Sequence, residues 1–161
     1  MIEIRNLTKT AVDVKLLRKV AQDLFRKAGV KRPISVVFVG PNPPKARRAF
    51  RRARQTAKLL AGQRLLDISV ALVSPQRARQ LNMIYRKKTY VPNVLSFDYG
   101  EIVLCPSKIR KDAKKYGILF KEELARVFVH GVLHLIGYDH IHQKDYQKMS
   151  RKETVYLSRF V

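Results

Sequence analysis

The sequence contains a single cysteine, few acidic residues and no tryptophan among its 161 residues. The one thiol, Cys105, excludes an internal disulfide and a multi-cysteine zinc cluster, and we expect it to be a small buried apolar side chain. No apolar run approaches the roughly 20 residues that a membrane-spanning helix needs. The first ten residues, MIEIRNLTKT, do not have the basic-then-apolar pattern of a secretory signal. These absences predict a cytoplasmic protein that does not bind a membrane.

The scarcity of acidic residues is confined largely to one part of the chain. Twelve Asp and Glu stand against 34 Lys and Arg, which gives a net charge of +22 and a pI near 10.6. Between Asp23 and Asp98 only Asp67 is acidic, whereas that interval holds 17 basic residues. Ordinary solubilising surfaces mix both signs, but a field of one sign attracts polyanions. The charge predicts a nucleic-acid partner, especially RNA on the ribosome.

The apolar residues, 46% of the chain, are sufficient for the core of one domain. Their spacing predicts helices at 12–28, 45–64, 75–86, 107–116, 121–135 and 145–160. Strands are predicted at 2–5, 34–39, 68–73, 94–97 and 101–105. Helices and strands that do not strictly alternate predict an α+β fold, with helices packed on a small mixed β-sheet.

The spacing also predicts which side chains of two helices reach the core. In the helix at 75–86 we expect an apolar contribution from Leu81, Ile84 and Tyr85. In the last helix the candidates are Tyr146, Met149, Val155 and Tyr156.

The segment at about 40–66 is the most basic part of the chain. It opens with GPNPP at 40–44, a strong break in regular structure. Residues 45–64 then hold eight basic and no acidic side chains, and one helical face carries Arg47, Arg51, Arg54 and Lys58. We expect an amphipathic helix, inserted into a single domain at 1–161, that either packs on the body or binds RNA. Strands 34–39 and 68–73 resemble each other, and the sequence leaves open which takes which place in the sheet.

Three of the four histidines fall in HGVLHLIGYDH, at positions 130, 134 and 140. Residues four apart on a helix share a face, so His130 and His134 can bind one cation. Gly137 can end the helix in a left-handed turn that returns the chain, and His140 then supplies a third nitrogen. This H-x3-H-x2-G-x2-H pattern is typical of zinc hydrolases with three protein ligands and an open position for water. We therefore predict one Zn²⁺ per chain, on the central helix and the turn after it.

Gly131 distinguishes this motif from that of metalloproteases. In those enzymes the residue after the first histidine is the glutamate that serves as general base, so peptide hydrolysis is disfavoured here. We expect Gly131 to leave space beside the metal for a differently placed substrate. Asp139, next to His140, either orients a ligand imidazole or caps a turn.

HGVLHLIGYDH resembles the signature of the YbeY family of bacterial endoribonucleases, and LNMIYRKKTYVPNVLSF and GEIVLC are similar to further segments of that family. The resemblance extends from about Asp67 to the C-terminus. It implies a zinc-dependent endoribonuclease directed at single strands, acting in 16S rRNA 3′-end maturation and ribosome quality control. It also implies that His130, His134 and His140 bind zinc and that Arg86 is the functional arginine. The chain departs from the family pattern at Pro92, where the family has Thr, and at Glu101, where it has Asp.

The catalytic roles leave alternatives open. The Arg86 guanidinium can clamp the scissile phosphate and stabilise charge in the transition state. Either metal hydroxide suffices as the base or a residue such as Glu101 assists. The alternative function is a non-catalytic, ribosome-associated RNA-binding factor whose zinc is structural. A metal hydrolase of peptides or small molecules is a third possibility.

Overall fold

The computed structural model describes residues 5–6, 8, 10–27, 69–97, 100–138 and 143–160 of the chain. Several sequence predictions concern residues outside this set. They are the strand at 34–39, the basic insertion at 40–66 with Arg47, Arg51, Arg54 and Lys58, and the residues Asp139 and His140.

The described strands form one mixed sheet. Its members are β1 (Arg5–Asn6), β2 (Ser69–Leu72), β3 (Val94–Phe97) and β4 (Glu101–Leu104), in the order β1-β2-β4-β3. β1 pairs with β2 and β2 with β4 in parallel, whereas β3 and β4 form an antiparallel hairpin in which Val94 lies opposite Leu104. With the helices packed on it, this sheet confirms the α+β fold.

Five helices lie within the described residues: α1 (Val14–Lys27), α2 (Pro75–Arg86), α3 (Pro106–Tyr116), α4 (Phe120–Leu135) and α5 (Gln143–Leu157). Their ends follow local signals. The Ser74 hydroxyl accepts a hydrogen bond from the backbone N–H of Arg77 at the start of α2, and Gly117 closes α3 with a φ of 68°. None of these helices has both the length and the apolar character needed to cross a membrane.

The sheet separates two cores, because successive residues of a strand point to opposite faces. The large core combines Val70, Leu72, Ile102 and Leu104 with α1, α3, α4 and α5. The small core lies on the other face, under α2, and consists of Ala71, Val73, Ala78, Leu95, Val103 and Cys105. Cys105 is 1% exposed, as expected for a small apolar side chain.

Some of the predicted core contacts are wrong. In α5, Met149 and Tyr156 are buried, but Tyr146 lies one turn before the buried stripe and Val155 lies beside it, so both are exposed. In α2, Leu81 packs on the small core, whereas Ile84 and Tyr85 are exposed, at 43% and 48%. Both lie in the last turn of α2, where the Tyr85 ring contacts Phe97, which is itself only partly buried against the small core.

Candidate metal centre

Helix α4 carries His130 and His134 close to its C-terminal end. It packs against α1, α3, α5 and β3, and its apolar side chains Leu124, Phe128, Val129 and Val132 are almost fully buried. Glu122 and Glu123 lie in its first turn, where the helix dipole favours negative charge. Because α4 is packed on several sides, the backbone positions of His130 and His134 at its end are fixed.

The rings of His130 and His134 face each other from adjacent turns of α4. Their Nε2 atoms are 3.1 Å apart, and the ring centroids are 4.7 Å apart with the planes at 83°. Each Nδ1 atom has a hydrogen-bond partner: Glu153 Oε1 at 2.6 Å for His130 and the Tyr138 carbonyl at 3.0 Å for His134. Because a carbonyl only accepts, the network assigns the His134 proton to Nδ1, and the carboxylate favours the same tautomer in His130. Both Nε2 lone pairs then converge on one point.

This pair fits a bound metal ion. Two nitrogens that each lie 2.0–2.1 Å from a tetrahedral zinc are about 3.3 Å apart, close to the observed 3.1 Å. With a proton on each Nδ1, the two Nε2 lone pairs are stabilised by a cation placed between them. Donation from the distal ring nitrogen to a carboxylate or carbonyl is the usual arrangement of metal-binding histidines. Within the described ranges no three His, Cys, Asp or Glu side chains form a complete metal site, and the predicted third ligand, His140, lies outside them.

The turn after α4 has the predicted form. Gly137 has a φ of 94°, and its N–H donates to the His134 carbonyl at 3.0 Å while the Tyr138 N–H donates to the Leu133 carbonyl at 3.0 Å. These two bonds form a Schellman motif, in which glycine takes the left-handed position. The turn brings the Tyr138 carbonyl back to His134 Nδ1.

Gly131 has a different role from the one expected. A Cβ atom there would lie 3.0 Å from Ser96 Oγ, 3.2 Å from Val94 Cγ2 and 3.4 Å from Ile102 Cγ2. The glycine therefore faces the sheet and lets α4 approach β3 closely, so the prediction that it leaves space beside the metal is wrong. The argument against peptide hydrolysis is unaffected, because position 131 still lacks the glutamate that serves as general base in metalloproteases.

Glu153 is the site residue that the sequence analysis missed. It lies on α5, 23 positions after His130, and its side chain is 19% exposed. The available signal was its place one turn after the buried Met149, on the inward stripe of an amphipathic helix. A carboxylate on such a stripe indicates a buried partner.

An ion pair lies one turn before His130 on α4 and places a further cation near Glu153. Arg126 donates to both carboxylate oxygens of the fully buried Glu123, at 2.7 and 2.6 Å. These hydrogen bonds raise the pKa of the Arg126 guanidinium, and the negative charge of Glu153 adds to this rise. A permanent cation therefore lies near the carboxylate that orients His130.

Arg86 and Glu101 lie on elements other than the histidine helix, at the end of α2 and in β4. Arg86 is exposed at the end of α2, which flanks β3 from the small-core face, whereas α4 flanks β3 from the large-core face. Glu101 is buried at the start of β4. Because Ile102 faces Gly131, strand alternation directs Glu101 to the opposite face. This geometry disfavours Glu101 as a base acting at the histidines.

The fold and the histidine pair define a class of protein, an α+β domain whose buried central helix presents two convergent imidazoles. The family model for the endoribonuclease YbeY matches residues 3–161, and the chain belongs to that family. The endoribonuclease YbeY of Thiobacillus denitrificans is 41% identical over 103 residues, which cover 58% of this chain and 70% of the relative. That of Bdellovibrio bacteriovorus is 39% identical over 88 residues, covering 51% of this chain and 59% of the relative.

The fold also matches a solved structure. The solution structure of TM1509 from Thermotoga maritima superimposes with a TM-score of 0.58 at 25% sequence identity. The match covers 99% of this chain and 89% of that protein. The likeness therefore extends over the whole domain and is not confined to the histidine motif.

Proposed function

We propose that this chain is a metal-dependent endoribonuclease that cuts single-stranded RNA. The observation that carries the proposal is the arrangement of His130 and His134, whose Nε2 atoms converge while both Nδ1 atoms are used in hydrogen bonds. Membership of the endoribonuclease YbeY family supports the reaction, and the net charge of +22 supports a polyanionic substrate.

The proposed metal is one Zn²⁺ per chain, held by His130, His134 and His140. Zinc with three protein ligands keeps an open position and, when bound, makes a water acidic enough to act as a nucleophile near neutral pH. The role of Glu153 and the Tyr138 carbonyl is to keep both imidazoles in the tautomer and orientation that present Nε2. Asp139 is proposed as a further acceptor that orients the imidazole of His140.

The substrate would be held by cations on two parts of the chain. Arg86, exposed at the end of α2, would bind the scissile phosphate through the two-pronged donation that a guanidinium makes to phosphate. Four cations of the basic insertion, Arg47, Arg51, Arg54 and Lys58, would extend the contact with RNA. The resemblance to the family extends the proposal to 16S rRNA 3′-end maturation on the small ribosomal subunit in the cytoplasm.

Four variants test the proposal: His134→Ala, Glu153→Gln, Arg86→Ala and Arg79→Ala. The last is the matched control, since Arg79 is an exposed arginine on the same helix, two turns before Arg86. Bound zinc, melting temperature and cleavage of an unpaired rRNA fragment are measured for each. We expect His134→Ala to lose both zinc and cleavage, and Glu153→Gln to lower zinc affinity about 10- to 100-fold. Arg86→Ala should keep zinc and lose cleavage by about 10²-fold or more, whereas Arg79→Ala should match the wild type.

Two outcomes would overturn the proposal in different ways. A wild-type protein that holds zinc but cleaves no rRNA, even with ribosomes present, would favour the non-catalytic RNA-binding factor with a structural zinc. A wild-type protein that binds no metal would remove both functions. Equal losses in Arg86→Ala and Arg79→Ala would show that Arg86 acts only through general charge.

A further inference from the structure

The end of α2 and the loop after it form an exposed surface that the proposed chemistry leaves mostly unused. All eight residues from Met83 to Tyr90 are exposed. They include two tyrosines, Tyr85 at 48% and Tyr90 at 58% exposure, and the three cations Arg86, Lys87 and Lys88. No acidic residue occurs between positions 69 and 97. Aromatic rings and cations without a carboxylate are the side chains that bind unpaired nucleotides.

This surface is held in place from beneath. Lys87 takes a left-handed conformation, with a φ of 58°, and its N–H donates to the Met83 carbonyl at 3.2 Å. Asn82 is fully buried, and its Nδ2 donates to the Tyr90 carbonyl at 3.0 Å. The loop is therefore folded back on the end of α2. A loop whose backbone is fixed before binding loses less conformational entropy when RNA binds.

The orientation of Tyr85 is also defined. Its ring makes an edge-to-face contact with Phe97 of β3, with centroids 4.9 Å apart and planes at 70°. About half of the side chain nevertheless remains accessible. Tyr85 is thus anchored to the same strand whose other face packs on Gly131 of α4, which connects this surface to the histidine helix through one strand.

From these observations we infer that Tyr85 and Tyr90 form a base-stacking surface for single-stranded RNA, with Arg86, Lys87 and Lys88 on its phosphates. The inference rests on the proposed function. It would explain, in physical terms, why the proposed nuclease prefers single-stranded RNA. Every unpaired base offers a π-face, whereas bases in a duplex are already stacked. The surface therefore selects unpaired RNA without reading its sequence.

The first test measures binding by fluorescence anisotropy of a labelled 2′-O-methyl oligonucleotide, which resists hydrolysis, as a single strand and as a duplex. We expect Tyr85→Ala and Tyr90→Ala each to weaken single-strand binding about tenfold and to leave duplex binding within twofold. Tyr85→Phe and Tyr90→Phe keep the ring and should bind as the wild type does. Tyr116→Ala is the matched control, because Tyr116 is also 58% exposed and lies beside Lys114 and Lys115; its binding should not change.

A spectroscopic readout makes the test independent of affinity. The chain has no tryptophan, so Tyr90→Trp provides a single indole at the proposed surface and Tyr116→Trp a single indole at the control position. We expect the single strand to quench the fluorescence of Tyr90→Trp and the duplex to leave it unchanged. Fluorescence of Tyr116→Trp should respond to neither.

Several results would overturn the inference. Equal losses of single-strand and duplex binding in the alanine variants would mean that the segment only attracts phosphates. Unchanged binding together with an unquenched Tyr90→Trp would mean that the surface does not contact RNA and would favour a protein partner. If an alanine variant melts at a much lower temperature than the wild type, the phenylalanine and tryptophan variants decide.

The two proposals can fail separately. Quenching and ring-dependent binding in a protein that never cleaves RNA would remove the proposed nuclease activity but keep the stacking surface. Cleavage of unpaired RNA that is insensitive to all tyrosine substitutions would keep the nuclease and remove the surface.

Discussion

Within the described part of the chain, the two faces of the sheet carry different numbers of buried residues. Among the residues that the structure describes, 20 buried residues from β2, β4 and four helices form one cluster on the large-core face. On the small-core face the corresponding cluster has six, from the sheet and α2. The histidine pair lies on a helix of the first face, and the tyrosine surface lies at the end of the helix on the second. Metal ligands need positions fixed to a fraction of an ångström, whereas a surface that accepts any base can tolerate a lighter support.

The largest predicted effect compares one side chain from each face. Phe128 of α4 is 1% exposed, and Phe128→Ala should lower the free energy of unfolding by about 3–5 kcal/mol, because it leaves a cavity in the large core. Leu81 of α2 is only partly buried against the small core, and Leu81→Ala should cost about 1 kcal/mol. Urea unfolding of both variants measures the difference. Equal losses would show that the two faces contribute alike.

The second prediction concerns the closest approach of α4 to the sheet. Gly131→Ala would place a Cβ atom 3.0 Å from Ser96 Oγ, and such overpacking costs about 1–3 kcal/mol, less the higher helix propensity of alanine. Ser96 Oγ is buried and has no hydrogen-bond partner within the described part of the chain, so Ser96→Ala alone should be close to neutral.

The two changes should be coupled. In the Ser96→Ala background the cost of Gly131→Ala should fall by about 1 kcal/mol, as a double-mutant cycle of thermal or urea unfolding would measure. Additive effects would contradict the contact. Zinc affinity provides a second readout, because a displaced α4 would also move His130, one residue before Gly131.

The elements of the fold were predictable where the signal is local. Proline marks the start of α2 and of α3, and glycine marks the end of α3. The buried apolar run at 70–72 forms a strand, as its composition indicates. The wrong predictions concern side chains whose burial depends on which other element packs against their helix. Tyr146 and Val155 are apolar, but nothing in the spacing of α5 shows where its buried stripe begins.

The candidate site also combines features set by local sequence with contacts between residues that are distant in sequence. The His130–His134 pair and the turn at Gly137 follow from helix geometry and are present as predicted. Glu153 and the contact of Gly131 with Ser96 join residues that are 23 and 35 positions apart in sequence, and no local pattern specifies such pairs. The roles of Arg86 and His140 remain predictions.

The smallest predicted effect uses Cys105 as a reporter of the small-core face. Burial raises the pKa of the Cys105 thiol above its ordinary value of 9.0. A raised pKa in the folded state contributes stability that is complete below the unfolded pKa and is lost as the pH rises through the folded pKa. Cys105→Ala should therefore lose less stability than the wild type as the pH rises above about 9. An identical alkaline loss in both proteins would contradict the contribution of this thiol.

The same thiol can also compare the two faces directly. At neutral pH, iodoacetamide should modify native Cys105 far more slowly than the unfolded chain, because only the thiolate reacts and the side chain is buried. If α2 opens without the rest of the domain, the free energy of opening derived from the alkylation rate will be smaller than the free energy of global unfolding. The amides of α4, which packs against three helices and two strands, should exchange only on global unfolding. Equal free energies of opening for Cys105 and for the α4 amides would mean that the two cores unfold as one unit. In that case α2, which carries the tyrosine surface, would not open separately from the rest of the domain.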